Sequence, residues 1–255
     1  TPQNVTIIHS KTFSNTNLGG TLTLHDGITS IGTSAFMNAG LRGELRLPKH
    51  LEVINSLAFA SCDFSGILVL PENLYTIGNE AFFGNWRLMG TLTIPENVVS
   101  IGYGAFAHCR NLEGVIFPEG LENILSEAFV GCSGIGRIVC EGAFPAYVEG
   151  NAFDGVAKDN FTLEVPESSI HLYQTAEGWK DFKRIAAYRN LTIRPSLATA
   201  INTSATRDLV LTADDEWYVE SQPDWVTLNK TSGKGKTEIK LTFAEMPRGS
   251  EPRVG

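Results

Sequence analysis

Over the first two-thirds of the chain, apolar and polar residues alternate in short tracts: TLTL (21–24), ELRL (44–47), ILVL (67–70) and TLTIP (91–95). Period-two alternation marks a short strand with one buried face. It predicts an inward column of Leu22, Leu45, Leu68, Leu92, Val115, Ile138 and Leu163. Two residues further on, Leu24, Leu47, Leu70, Ile94, Phe117, Cys140 and Val165 form a second. Proline or another turn residue follows, which keeps each strand brief.

Between these tracts an Ala-Phe pair recurs, as in IGTSAF (31–36), IGNEAFFGN (77–85) and ILSEAFVGC (124–132). Phe13, Phe36, Phe59, Phe82, Phe106, Phe129 and Phe153 follow one another at intervals of 23 or 24 residues. A fixed period in this range is the signature of a solenoid, whose units bury their apolar faces only against neighbours. A lone repeat has large apolar residues at Ile28, Ile31, Phe36, Leu41, Leu45 and Leu47. Burial contributes roughly 1.5–3 kcal/mol for each, less in sum than ordering every residue of the repeat at about 1–2 kcal/mol. Stacked strands lie ~4.8 Å apart, a spacing at which aromatic rings meet. The phenylalanines therefore predict a ring ladder, and the small alanine before each lets the turn or short helix pack closely.

If the leucine column points inward, its neighbours point outward. They are Glu44 and Arg46, Ile67 and Val69, Thr91 and Thr93, Ile116, then Arg137 and Val139. Ile67, Val69, Ile116 and Val139 make an apolar zone rimmed by charge, and exposed apolar patches mark interaction sites. The same residues also suit a strand that binds nothing. An alternative ligand face uses the aromatics Trp86, Trp217 and Trp225.

The position three residues after each repeated phenylalanine holds Ala39, Cys62, Asn85, Cys109, Cys132 or Val156. Such interchange fits a buried brick better than a ligand or nucleophile, since free cysteine packs as a small hydrophobe. Stacked parallel side chains give poor disulfide geometry, and no Cys-x2-Cys or Cys/His spacing suits zinc.

The stretch LPENLYTIGNEAFFGNWRLMGTLTIPENVVSIGYGAFAHCRNLEGVIFPEGLENI (70–124) resembles the BspA-like, or treponemal-type, leucine-rich repeat of bacterial surface proteins. The resemblance covers roughly residues 1–165. It implies an α/β leucine-rich-repeat solenoid of short parallel strands and a secreted or outer-surface-anchored bacterial binding protein. Residues 166–188, PESSIHLYQTAEGWKDFKRIAAY, read as a cap with a short helix, in which Tyr173, Trp179, Phe182 and Ile185 cover the last coil. They also resemble the family's closing segment.

The texture changes near Pro195. DLVLTA (208–213), EWYVES (216–221), WVTLNK (225–230) and TEIKLTF (237–243) read as short strands of a small all-β, immunoglobulin-like sandwich. Residues 214–243 resemble a BACON module, for which a carbohydrate-binding role in gut Bacteroidetes proteins has been proposed. The expected division is 1–194 for the solenoid, with its cap at about 166–190, and 195–255 for the sandwich. The last of these is expected to be incomplete, because EPRVG (251–255) falls where a further strand belongs.

Net charge is −8 without a basic stretch, which argues against nucleic acid and anionic membranes. No apolar run reaches the ~18 residues of a membrane span. Five Asn-x-Ser/Thr matches, at Asn4, Asn160, Asn190, Asn202 and Asn229, are glycan acceptors only in a eukaryotic secretory pathway. The acidic run at 214–216 lacks the ligand spacing of a calcium loop, and the five histidines fall in no catalytic or metal motif. Neither a cofactor nor a catalytic constellation is expected. The sequence favours a non-enzymatic adhesion protein that recognises host protein or another cell surface through its solenoid. The alternative is a glycan-binding or presenting accessory of polysaccharide acquisition.

Overall fold

Two parallel sheets, one more than the alternation predicts, line the solenoid. The computed structural model describes residues 4–188 and, beyond them, 191–194, 205–213, 216–218, 226–230, 232–234 and 237–243. The expected sheet comprises Arg42–Glu44, Asp63–Ile67, Arg87–Thr93, Leu112–Phe117, Arg137–Cys140, Leu163–Val165 and Ile185–Ala187, paired in chain order. This is the long-strand sheet. Leu45, Leu68, Leu92, Val115, Ile138 and Leu163 are buried beneath it as predicted. Residues 21–24 are not a strand; Leu22 and Leu24 are half-buried and pack against the core.

The second, short-strand sheet is built from Ile7–Ile8, Ser30–Ile31, Val53–Ile54, Thr76–Ile77, Ser100–Ile101, Asn123–Ile124 and Tyr147–Val148. Each strand buries one β-branched residue, giving a column of Ile8, Ile31, Ile54, Ile77, Ile101, Ile124 and Val148. Apolar contact along this column and the leucine column closes the coil from both sides.

The Ala-Phe pairs sit in the turn that joins the short-strand sheet to the next long strand, and the chain there is a turn rather than a helix. All six alanines from Ala35 to Ala152 are 0% exposed. The seven rings stack at centroid separations of 5.2–5.7 Å, as the ladder predicts. Each phenylalanine amide donates to the alanine carbonyl of the following coil: Phe13 to Ala35, Phe36 to Ala58, and so on to Phe129 and Ala152, at 2.8–2.9 Å. Every bond in this column has the same sense. To keep it, the turn holds non-glycine residues in the left-handed region, among them Ser34, Leu57, Glu80 and Glu127 at φ 54–61°. A single such residue is unfavourable, and the hydrogen bonds of two flanking coils hold it there.

The cysteine position closes the same turn. Cys62, Cys109 and Cys132 thiols donate to the carbonyls of Phe36, Phe82 and Phe106 at 3.2, 3.4 and 3.0 Å. In the coil between, Asn85 Nδ2 does the same to Phe59 at 2.8 Å. All four cysteines are free and buried. Burial pushes the Cys62 thiol up to about 11 and Cys132 to about 12, and raises Cys109 and Cys140 as well. A thiolate reagent at pH 8 is therefore expected to find almost no reactive thiol in the native protein and four after denaturation. A native Cys109–Cys132 crosslink in mass spectrometry sinks this expectation.

The last coil is closed by aromatic residues, as the sequence indicates. Tyr173, Trp179 and Phe182 are buried, Ile185 packs against them, and Trp179 meets Phe153 and Phe117 at 5.5 and 6.0 Å. Trp179 Nε1 donates to the Ala146 carbonyl at 2.8 Å and Tyr173 Oη to that of Gly142 at 3.0 Å. Gly178, at φ +80°, lies where a Cβ would stand 2.6 Å from that of Val148, so only glycine lets the cap descend this far. The helical part is short, Glu167–Ser169 and Ile170–Tyr173. The cap then adds Ile185–Ala187 to the long-strand sheet, an element the sequence does not announce.

Contacts divide the chain into Thr1–Tyr188 and Arg189–Gly255. In the second unit Leu191–Arg194 pairs antiparallel with Ala205–Ala213, which pairs with Thr237–Phe243, which pairs with Val226–Leu228. Glu216–Tyr218 pairs separately with Ser232–Lys234. Leu191–Arg194, expected with the solenoid, is thus a strand of this unit's sheet. Residues 251–255 and the strand expected there lie outside the described residues.

Candidate interaction face

The outward side of the long-strand sheet is set by a register that sequence spacing does not reveal. In three successive coils Leu41, Phe64 and Leu88 are followed by Gly43, Gly66 and Gly90 at φ 73–84°, and the inward leucine comes four residues after the first. In the next two coils Leu112 precedes Val115, and Ile135 precedes Ile138, by only three. One residue is missing there, and the pairing shifts between Gly90 and Thr91. On the other edge of that strand, the pairing with Asp63–Ile67 sets Ile67 beside Met89, not beside Thr91.

This register gathers only part of the predicted apolar zone. Ile67 and Val69 are exposed, at 59% and 56%, and Met89 joins them at 44%. Alternation back from Thr91 through Gly90 identifies Met89 as outward; the predicted tract begins at Thr91 and misses it. Ile116 is half-buried and Val139 is 0% exposed, so the zone does not extend to them. Val139 stands between Ile116 and Glu164 in register. Arg137, two residues before it on the same face, reaches across to Glu164 in a bidentate pair at 2.8 and 3.0 Å. That pair holds the guanidinium even more firmly protonated than usual.

The remaining predicted residues surround this core. Glu44 and Arg46 are exposed and paired at 3.2 Å. Thr91 is exposed and Thr93 half-buried. Trp86, 48% exposed, precedes the strand Arg87–Thr93; the Arg87 guanidinium lies 4.8 Å from its ring centroid and is held by Asp63 at 3.1 Å. Trp217 lies on Glu216–Tyr218, and Trp225 falls outside the described residues. A shallow depression of about 450 Å³ at the cap is lined by Asp154, Asp159, Asp181 and Lys158. Among the described residues no group of three or more His, Cys, Asp or Glu is placed to hold a metal ion.

A family model for the BspA type leucine rich repeat region matches residues 1–89 and 83–174, with six copies of the repeat. The chain belongs to the BspA-type leucine-rich repeat family. Two solved structures resemble this BspA-type chain. One is a leucine rich cell surface protein from Faecalibacterium prausnitzii A2-165, at 21% identity and a TM-score of 0.42, covering 74% of this chain and 53% of that one. The other is a leucine-rich repeat protein from Bacteroides ovatus ATCC 8483, at 19% identity and 0.44, covering 74% and 60%. The BspA-type chain thus spans between half and two-thirds of the length of those proteins. No curated protein matches it. No helix among its described residues is long and apolar enough to cross a membrane.

Proposed function

We propose that this chain is a non-enzymatic binding protein, secreted or anchored on the outer surface of a bacterium, that recognises a host protein or another cell's surface. The observation that carries this reading is the cluster of Ile67 and Met89, exposed side by side on two paired strands of a repeat array, with Val69 exposed just beyond the first of them. Apolar side chains in water on an otherwise well-packed sheet are the material of an interface core, and the charged Glu44, Arg46, Asp63 and Arg87 supply its polar rim. Purified protein is screened against extracellular-matrix protein and glycan arrays. For a protein ligand found there, Ile67→Thr with Met89→Thr is expected to keep the fold and weaken binding at least tenfold, from the loss of about 1.5 kcal/mol or more of apolar burial. Unchanged affinity in a folded double variant moves the site elsewhere.

A glycan reading rests on Trp86, whose exposed ring is a platform for a sugar. Trp86→Ala separates the two: it abolishes a glycan signal and leaves a protein ligand bound. We further propose that 195–255 is a separate immunoglobulin-like sandwich of BACON type. The antiparallel pairings support a sheet, whereas the module type rests on residues 214–243 as a sequence.

A further inference from the structure

The outward side of the short-strand sheet differs in chemistry from the face just described. Tyr75 and Val99 are 49% and 50% exposed and occupy equivalent positions of adjacent coils, two residues before the paired Ile77 and Ile101. Glu52 and Glu122 extend this row at either end: the Tyr75 amide donates to the Glu52 carbonyl and the Glu122 amide to the Val99 carbonyl. Both carboxylates are exposed. One coil further, Tyr147 is 62% exposed and its amide donates to the Glu122 carbonyl. Beside the row, the Tyr103 hydroxyl bonds to Glu127 with Glu80 close by, and this negative surrounding raises the phenol.

No lysine, arginine or histidine occurs in the segments 51–57, 74–80, 98–104, 121–127 and 146–151, five of the seven coils that form this surface; the first coil carries the exposed His9 and Lys11. Those five segments carry five glutamates. On the long-strand sheet, by contrast, Arg46, Arg87 and Arg137 are each paired with a carboxylate. Over these five coils the short-strand face therefore combines exposed aromatic rings with negative charge that no cation of the same segments offsets.

We propose that this face docks an extended polypeptide segment rich in arginine or lysine, laid along the solenoid axis. Coils succeed one another at ~4.8 Å, so the row from Glu52 through Tyr75 and Val99 to Glu122 advances in steps of that length; Tyr147, opposite Asn123 and so one residue to the side of the row, lies one coil further. Alternate side chains on one face of an extended chain are spaced by ~6.7 Å. Starting at Glu52, successive cations then fall at Glu52, near Tyr75, at Glu122 and near Tyr147. The carboxylates take charge pairs, and the tyrosine faces take cation–π contacts while the aliphatic stems lie over Val99. Charge and ring spacing together select a cationic strand over a neutral or acidic one. This inference is independent of the function proposed for the opposite sheet.

The probe is a fluorescein-labelled peptide of alternating arginine and serine, titrated with the full chain at low salt and followed by fluorescence anisotropy. Glu52→Gln with Glu122→Gln is expected to weaken binding about tenfold. Tyr75→Ser with Tyr147→Ser is expected to weaken it about fivefold at unchanged net charge. Two controls separate the site from general attraction to an acidic protein: Glu113→Gln with Glu167→Gln, which removes the same charge elsewhere, and Ile67→Thr with Met89→Thr. Both are expected to stay within twofold of the parent. Absence of binding, or equal weakening by the two glutamate pairs, overturns the proposal. So does concentration-dependent self-association that the on-face variants abolish, because it assigns the face to a second copy.

Discussion

Replacing Phe106 by alanine is expected to lower the free energy of unfolding by about 3–5 kcal/mol, the range for deleting a large aromatic side chain from a packed core. Its ring is fully buried and stacks on both neighbours, Phe82 at 5.3 Å and Phe129 at 5.4 Å. The turn around it is held by hydrogen bonds to the next coil, so the surroundings have little freedom to collapse into the space. Coils contact only their neighbours, and the loss falls on the coupling between the two halves of the array. Urea unfolding followed by circular dichroism is expected to shift to lower concentration and to broaden as those halves separate. Phe13→Ala provides the comparison: Phe13 is half-buried and stacks on one ring only, so its loss is expected to be distinctly smaller. Equal losses at the two positions would show that ring stacking does not couple the coils.

Trp179→Ala is expected to cost a similar amount, about 3–5 kcal/mol, for a different reason. Trp179 lies against Phe117, Phe153, Tyr173 and Phe182 and is the largest side chain separating the last coil from water. Without it the rings of the final coil become solvated, and unfolding is expected to start there. Hydrogen exchange should then lose protection first around residues 146–156. Trp179→Phe keeps much of the apolar volume and removes the indole donor, leaving the buried Ala146 carbonyl short of a partner at a cost of about 1–3 kcal/mol. Protection lost first at the opposite end of the array would mean that the cap is not what holds the last coil.

Repetition made much of the solenoid legible. A residue type that returns at a fixed interval reports a position in space, which is why the phenylalanine ladder, the leucine column, the buried thiols and the aromatic cap could be placed from the sequence. The short-strand sheet stayed hidden because two residues cannot display a period, although Ile31, Ile54 and Ile77 recur as regularly as the phenylalanines. The left-handed turn positions were hidden as well: Leu57 and Glu80 carry no turn signal, and their backbone is dictated by the coils on either side. The outward face was legible in chemistry and not in extent. Alternation places Ile67, Val69 and Val139 outward alike, but exposure depends on what crosses the sheet, and the Arg137–Glu164 pair beside Val139 comes from a coil whose spacing is irregular. Met89 was missed because the predicted tract began after Gly90.

The single sense of the turn hydrogen bonds carries an electrostatic consequence. In an α-helix the aligned peptide dipoles add, with the positive pole where the amide hydrogens point. Here the amides of Phe13 through Phe129 all point toward the C-terminal end of the array, so each added coil lengthens a column polarised in that direction, perpendicular to the chain's own path. The column's positive pole lies at the coil of Phe153. Asp154, Asp159 and Asp181 gather around that coil, placing negative charge at the positive pole as acidic residues do at the start of a helix.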